Sequence, residues 1–165
     1  MTDGAEASSM DRPAGTGRTE TARKALLYRL FKIGRVPWRL LAALQAEGLV
    51  LLDEGLRGSV GYRSFRAPGK RFSRRREWFT GALALTRVRF AAFAYGRRLV
   101  NVPLDDPRLA EIEVRAETPG SLLAAFDAGL FHPERSGRVE IRFRTDLAAT
   151  IADHLRARTS SRPGE

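Results

Sequence analysis

The stretch from Trp78 to Asp106 (WFTGALALTRVRFAAFAYGRRLVNVPLDD) alternates apolar and polar residues, breaks at turn residues, and then alternates again. A period of two places successive side chains on opposite faces of a strand, whereas an amphipathic helix repeats every 3.6 residues. Within this stretch, Gly96 marks a hairpin turn and Thr86-Arg87 suits a tight connection. The stretch therefore predicts a β-meander, around which the rest of the chain must be arranged.

Strand-like segments continue on both sides of the meander. Residues 49–54 open the strands, residues 59–66 alternate, and Gly55 and Gly58 indicate a bulge or bend between them. Ala67-Pro68-Gly69 is typical of a turn, and for the following KRFSRRRE, residues 70–77, we predict an exposed loop. Downstream, three more segments have strand patterns: 108–116, 121–126 and 138–143. The sequence thus predicts a mainly β fold of about seven antiparallel strands.

Helical patterns flank the strands. Residues 21–33 predict a basic amphipathic helix with an apolar face of Leu26, Leu27, Leu30 and Phe31. A second helix is predicted from Pro37 to Glu47, and a last one from Thr145, a suitable N-cap, to Arg156. We expect disordered tails at residues 1–20 and 158–165, a separate basic helix at 21–35, and one domain at 36–157.

The basic amphipathic helix has two interpretations. Such a helix can lie on an anionic membrane surface. Its apolar face can instead pack on the domain or on a second copy of the chain, which would make the protein a homo-oligomer. We favour packing.

The net charge of +10 favours polyanionic partners: an anionic membrane surface, an acidic protein face or nucleic acid. Eight Lys and Arg residues and no acid lie between Arg57 and Arg76. The alternative is that these residues only keep the surface soluble. The polar N-terminus has no signal-peptide core, and no apolar run is long enough to span a bilayer. We therefore expect a cytoplasmic location, either free or peripheral at the inner membrane surface.

The sequence predicts no catalytic, cofactor or metal site. The chain has no cysteine, which excludes disulfides and thiolate metal ligands. His132 has Asp127 and Glu134 nearby in the sequence, but these residues do not provide a matched set of metal ligands, and His154 lies toward an apolar helix face. No glycine-rich phosphate loop, GxSxG, HExxH or EF-hand pattern is found in the sequence, so we expect the protein not to be an enzyme.

Two segments carry a resemblance to a known family. GALALTRVRF at residues 81–90, followed by Val102-Pro103-Leu104, is similar to the G-x-L-x-L-T-x-x-R-hydrophobic and I/V-P-L pattern of GRAM-like and bacterial pleckstrin-homology-like (PH-like) domains. The resemblance covers roughly residues 49–155. It implies a partly open antiparallel barrel of seven strands, capped by a C-terminal helix.

Eukaryotic relatives with this fold often bind phosphoinositide headgroups through basic residues in the loop that joins the first two strands, whereas many bacterial members look more like assembly modules. The residues that match that location here are Lys70, Arg71, Arg74, Arg75 and Arg76, with Arg63 and Arg66 as possible additional contacts. The three contiguous arginines differ from the alternating family spacing and predict a splayed, exposed loop. Nearby Phe72, Trp78 and Phe79 could insert at a membrane interface or stack on bases, or could lie in the core.

The sequence therefore predicts a non-catalytic binding module that meets anionic phosphate-bearing groups, such as lipid headgroups, through residues 70–76. Two alternatives stay open: an assembly module that binds other proteins without binding lipid, and nonspecific nucleic-acid binding, which we consider less favoured.

Overall fold

A computed structural model describes residues 34–160 of the chain. The predicted tail at residues 1–20 and the predicted helix face of Leu26, Leu27, Leu30 and Phe31 lie outside the described residues, as do residues 161–165. The prediction of a disordered tail is wrong for residues 158–160, which belong to the last helix. Among the residues described, no helix combines the length and apolar character needed to cross a membrane.

Within residues 34–160, seven strands lie between two α-helices. Helix α1 (Trp38–Ala46) comes first and helix α2 (Ala148–Ser160) comes last. The strands are β1 (Leu49–Ala67), β2 (Lys70–Thr86), β3 (Arg89–Ala94), β4 (Arg97–Pro103), β5 (Glu113–Thr118), β6 (Ser121–Asp127) and β7 (Ser136–Arg144). They form one antiparallel sheet in the order β4-β3-β2-β1-β7-β6-β5, open between the edge strands β4 and β5. The prediction of a mainly β fold with seven antiparallel strands and a C-terminal helix is confirmed, and the sheet does not close.

The predicted loop at residues 70–77 is wrong, because these residues form the first half of β2. The turn is only Pro68-Gly69, with Gly69 at φ 70°, and Ala67 pairs directly with Lys70. Charged residues suggested a loop, but pairing with β1 satisfies the backbone, and Phe65 and Phe72 bring apolar surface to the hairpin.

Strands β1 and β5 also differ in part from the sequence prediction. Strand β1 runs continuously through Gly58, while the bulge predicted at Gly55 is present as a register shift, with Gly55 at φ 71°. The strand predicted from Arg108 begins only at Glu113. The intervening Pro107–Glu111 segment is a 3-10 helix, because the Asp106 side chain accepts a hydrogen bond from the Arg108 backbone N–H at 2.9 Å.

The two faces of β2 are covered by different helices. On the inner face, Leu83 and Leu85 belong to the main core, to which α2 contributes Ile151 and Leu155. On the outer face, Ala82 and Ala84 pack in a second cluster with Leu44 of α1. The alternation predicted for residues 78–85 is therefore confirmed.

A buried polar pair ties the start of the last helix to β1. The Thr145 hydroxyl donates a hydrogen bond to Asp53 Oδ2 at 2.6 Å and accepts one from the Leu147 backbone N–H at 3.1 Å. Both Asp53 and Thr145 are buried. The last helix begins at Ala148, so Thr145 is not the N-cap predicted from the sequence. Its hydroxyl instead accepts the Leu147 N–H in the turn before the helix and joins segments 92 residues apart.

Candidate functional site

The β1–β2 hairpin places its aromatic residues on one face. The Phe65 and Phe72 rings stack with centroids 5.9 Å apart, and Tyr62 meets Phe65 edge-on at 5.1 Å. Alternation alone puts Tyr62 and Phe65 on opposite faces. Ser64 has φ 50°, which interrupts the alternation and returns Phe65 to the face of Tyr62. We call this the inner face, because it is continuous with the main core.

The opposite, outer face of the hairpin carries a row of cations, which we call the arginine stripe: Arg63, Arg66, Arg71, Arg74 and Arg76. Arg63 lies directly opposite Arg74, and Arg66 lies directly opposite Arg71. Like charges that face each other across strands destabilise a sheet. These two facing arginine pairs therefore lower the stability of the hairpin instead of adding to it.

The remaining two predicted basic residues, Lys70 and Arg75, lie on the inner face, where they line a cavity of about 650 Å³ with the aromatic side chains. The Arg75 Nε lies 2.7 Å from Glu77 Oε1, and its guanidinium carbon lies 4.6 Å from the Phe72 ring centroid. Burial, followed by the charge of Glu77, raises the pKa of the neighbouring Tyr62 hydroxyl. The five residues predicted as one basic loop are thus divided between two faces.

Next to the stripe, the outer face of β7 and β5 carries arginines that are neutralised. The buried Glu140 carboxylate contacts Arg63 at 3.1 Å and Arg142 at 2.9 Å, and it also contacts Arg138. Burial acts to raise the Glu140 pKa, but hydrogen bonds and charge from these arginines outweigh it and hold that pKa below its usual value.

The same network extends to β5. Hydrogen bonds from Arg138 and then Arg115 lower the pKa of Glu113. Arg142 makes a two-pronged contact with Glu117, at 2.8 and 3.0 Å. Carboxylates therefore compensate the arginines at the centre of the outer face.

The outer end of the hairpin differs from this network. Over residues 34–160, no ion pair joins an acidic side chain to any of these cations: Arg66, Lys70, Arg71, Arg74 and Arg76. All five are exposed. Arg63 is the one member of the stripe that the structure pairs with a carboxylate in this range. These side chains can donate hydrogen bonds to the phosphate oxygens of an external ligand without first breaking an internal ion pair.

A groove that the sequence did not predict lies on the outer face, beside the stripe. Arg57, Arg76 and Arg144 line it, together with the exposed Trp78 and Tyr95. The alternation of β2 already put Trp78 on the face of Thr80, but nothing in the sequence showed that α1 covers only Ala82 and Ala84 further along that face. Tyr95 reaches the groove from the β3–β4 turn, where it has φ 48°.

Within residues 34–160, no group of three or more metal-ligating side chains is arranged to hold an ion. His132 Nδ1 lies 3.6 Å from Glu134 Oε1 at an exposed position.

The chain matches no protein-family model, and no curated protein is significantly similar to it.

Proposed function

We propose that the chain is a non-catalytic, PH-like binding module whose arginine stripe binds the phosphate groups of an anionic membrane surface. The proposal rests on two cross-strand arginine pairs: Arg66 lies opposite Arg71, and Arg63 lies opposite Arg74. Of these four arginines, Arg63 alone is paired with a carboxylate among the described residues. Four guanidinium groups are held side by side where an external anion would relieve their mutual repulsion.

The energetics favour a reversible, peripheral contact. Each cation near an anionic membrane contributes about 1 kcal/mol, and the attraction falls off within a Debye length. The four stripe arginines other than Arg63, which is paired with Glu140, are enough for salt-sensitive binding together with Lys70 beside the turn. Phe65 and Phe72 pack on the inner face, so the hairpin brings charge to the membrane without inserting an apolar tip.

The PH-like assignment rests on the pattern at residues 81–90 and 102–104, which falls on β2, β3 and β4. A seven-stranded antiparallel sheet followed by a helix is consistent with that assignment. In this proposal the protein acts at the inner surface of a membrane and uses no cofactor.

Sedimentation with lipid vesicles tests the proposal. We expect the protein to sediment with vesicles containing phosphatidylglycerol, to stay in solution with pure phosphatidylcholine, and to be released by salt. The variant R66Q/R71Q/R74Q should lose this binding.

The matched control R87Q/R156Q/R158Q removes the same charge from exposed positions outside the hairpin and should bind as the parent protein does. Equal loss in both variants would show that only net charge matters, and equal retention would remove the stripe from the function.

A further inference from the structure

We propose that the groove on the outer face is a second binding site, for single-stranded nucleic acid, with a base stacked on Trp78 and phosphates held by Arg57, Arg76 and Arg144. This site is separate from the outer end of the hairpin proposed to meet membranes, and it shares only Arg76 with the arginine stripe.

Two aromatic rings are presented to solvent at this groove. Trp78 is 69% exposed and Tyr95 is 59% exposed, although large aromatic side chains usually bury most of their surface. The Tyr95 hydroxyl donates a hydrogen bond to the Trp78 carbonyl oxygen at 2.9 Å, which holds the two residues together.

The backbone at Tyr95 sets the position of its ring. Its φ of 48° lies in the left-handed region, which is uncommon for a bulky residue and costs free energy. Tyr95 and Gly96, the latter at φ 76°, form the two-residue turn between β3 and β4, and tight hairpin turns of this kind require a positive φ at both positions. The turn places the aromatic ring beside Trp78 at the edge of the groove.

The cations of the groove are available to a ligand. Over the described part of the chain, no ion pair or hydrogen bond to an acid engages the guanidinium groups of Arg57, Arg76 or Arg144. A fourth arginine at the groove, Arg142, is held by Glu117 and Glu140 and forms part of the wall. The groove encloses about 710 Å³.

The aromatic rings and arginines of the groove together indicate which class of ligand it would bind. Lipid headgroups offer phosphate but no planar aromatic ring, whereas single-stranded nucleic acid offers both at regular intervals. Bases in a duplex are stacked on each other, so their faces are not free to cover Trp78. We therefore expect single strands to bind and duplexes of the same length to bind more weakly.

Fluorescence of Trp78 provides the test. The chain has two tryptophans, so W38F in the full chain leaves Trp78 as the one indole. Titration with a thymidine oligonucleotide at low salt should quench its emission. If all three arginines contact phosphates, the plot of log affinity against log salt concentration should have a slope of about −2.

Two variants in the W38F background separate the contributions. R57Q/R144Q should reduce the magnitude of the salt slope by about 1.4, whereas the charge-matched control R87Q/R158Q should leave it unchanged. W78A, followed by fluorescence anisotropy of a labelled oligonucleotide, should weaken binding about 5- to 150-fold.

Vesicle sedimentation distinguishes this proposal from the membrane function. R57Q/R144Q should still sediment with phosphatidylglycerol vesicles, and R66Q/R71Q should still bind the oligonucleotide. Absence of quenching by the oligonucleotide, equal affinity for duplex, or equal losses in R57Q/R144Q and its control would each overturn the nucleic-acid site. Loss of vesicle binding in R57Q/R144Q with no oligonucleotide binding by the W38F protein would assign the groove to the membrane instead.

Discussion

Arg63 faces Arg74 across the β1–β2 hairpin, and only Arg63 is held by a carboxylate, that of the buried Glu140. Within this pair, the free charge therefore lies on β2, on the side of the hairpin away from β7. The pair marks the boundary between a neutralised outer face and an uncompensated one.

Removing the charge of Arg74 should stabilise the protein. Arg74→Gln relieves the repulsion with Arg63, and we expect the free energy of unfolding to rise by about 0.2–1 kcal/mol in urea titrations at low salt. The gain should shrink in high salt because the repulsion is screened. Arg87→Gln, at an exposed position in the β2–β3 turn, should change stability less. A loss of stability in Arg74→Gln would mean that the cross-strand pair is not repulsive.

Removing the charge of Glu140 should destabilise the protein in a pH-dependent way. The Glu140 pKa is lower in the folded protein than in the unfolded chain, where it is about 4.3. Its contribution is therefore fully present above about pH 5 and is lost as the pH falls through the folded-state pKa.

Glu140→Gln should lower the free energy of unfolding by about 1–3 kcal/mol at pH 7, because three arginines lose their shared acceptor. The difference from the parent protein should narrow as the pH drops below about 5. Denaturant titrations at several pH values measure it, and a difference that grows toward acid pH would contradict the assignment.

Removing the buried Thr145 hydroxyl should lower the free energy of unfolding more than the small size of the group suggests. Thr145→Val keeps the shape but leaves Asp53 and the Leu147 N–H without this partner. We expect a loss of about 1–3 kcal/mol in thermal or urea unfolding. Thr145→Ser keeps the hydroxyl and should retain more of the stability, and equal losses in the two variants would show that the methyl group, not the hydrogen bonds, is responsible.

Two glycines of β1 should respond differently to alanine. A Cβ on Gly58 would lie 2.3 Å from the Phe79 ring and 2.8 Å from the Arg142 carbonyl oxygen, so Gly58→Ala should cost about 1–3 kcal/mol. A Cβ on Gly61 would have its nearest neighbour at 3.7 Å, an ordinary contact. Gly61→Ala should be tolerated, as measured by urea unfolding, and a larger loss there than at Gly58 would contradict the packing described.

The strands were predictable from the sequence because alternation is a local property. Residues 78–85 have the two faces expected of them, and the bulge at Gly55 could be inferred from the glycine. The segment KRFSRRRE was not recognised as a strand, because its charged composition is typical of a loop and does not report its pairing with residues 60–67 across the Pro68-Gly69 turn.

The site was only partly predictable for the same reason. The basic residues of the hairpin could be identified, but their division between two faces depends on the Ser64 backbone conformation. Arg75 is paired with the nearby Glu77, but Arg63 is neutralised by Glu140, 77 residues away along the chain. Arg57 and Arg144 reach one groove only because β1 and β7 are neighbours in the sheet.

In the proposed function, the outer end of the β1–β2 hairpin is the part of the protein that meets an anionic membrane. The chain has no cysteine, so Ser73→Cys on β2 and Ala149→Cys on α2, both at exposed positions, each give one labelling site for a polarity-sensitive fluorophore. Acrylamide is neutral, so its access to each label is not biased by the arginines.

With phosphatidylglycerol vesicles, we expect the label at position 73 to become protected from acrylamide quenching while the label at position 149 stays accessible. Protection at position 149 with continued access at position 73 would contradict the claim, as would no change at position 73 while the protein sediments with the vesicles.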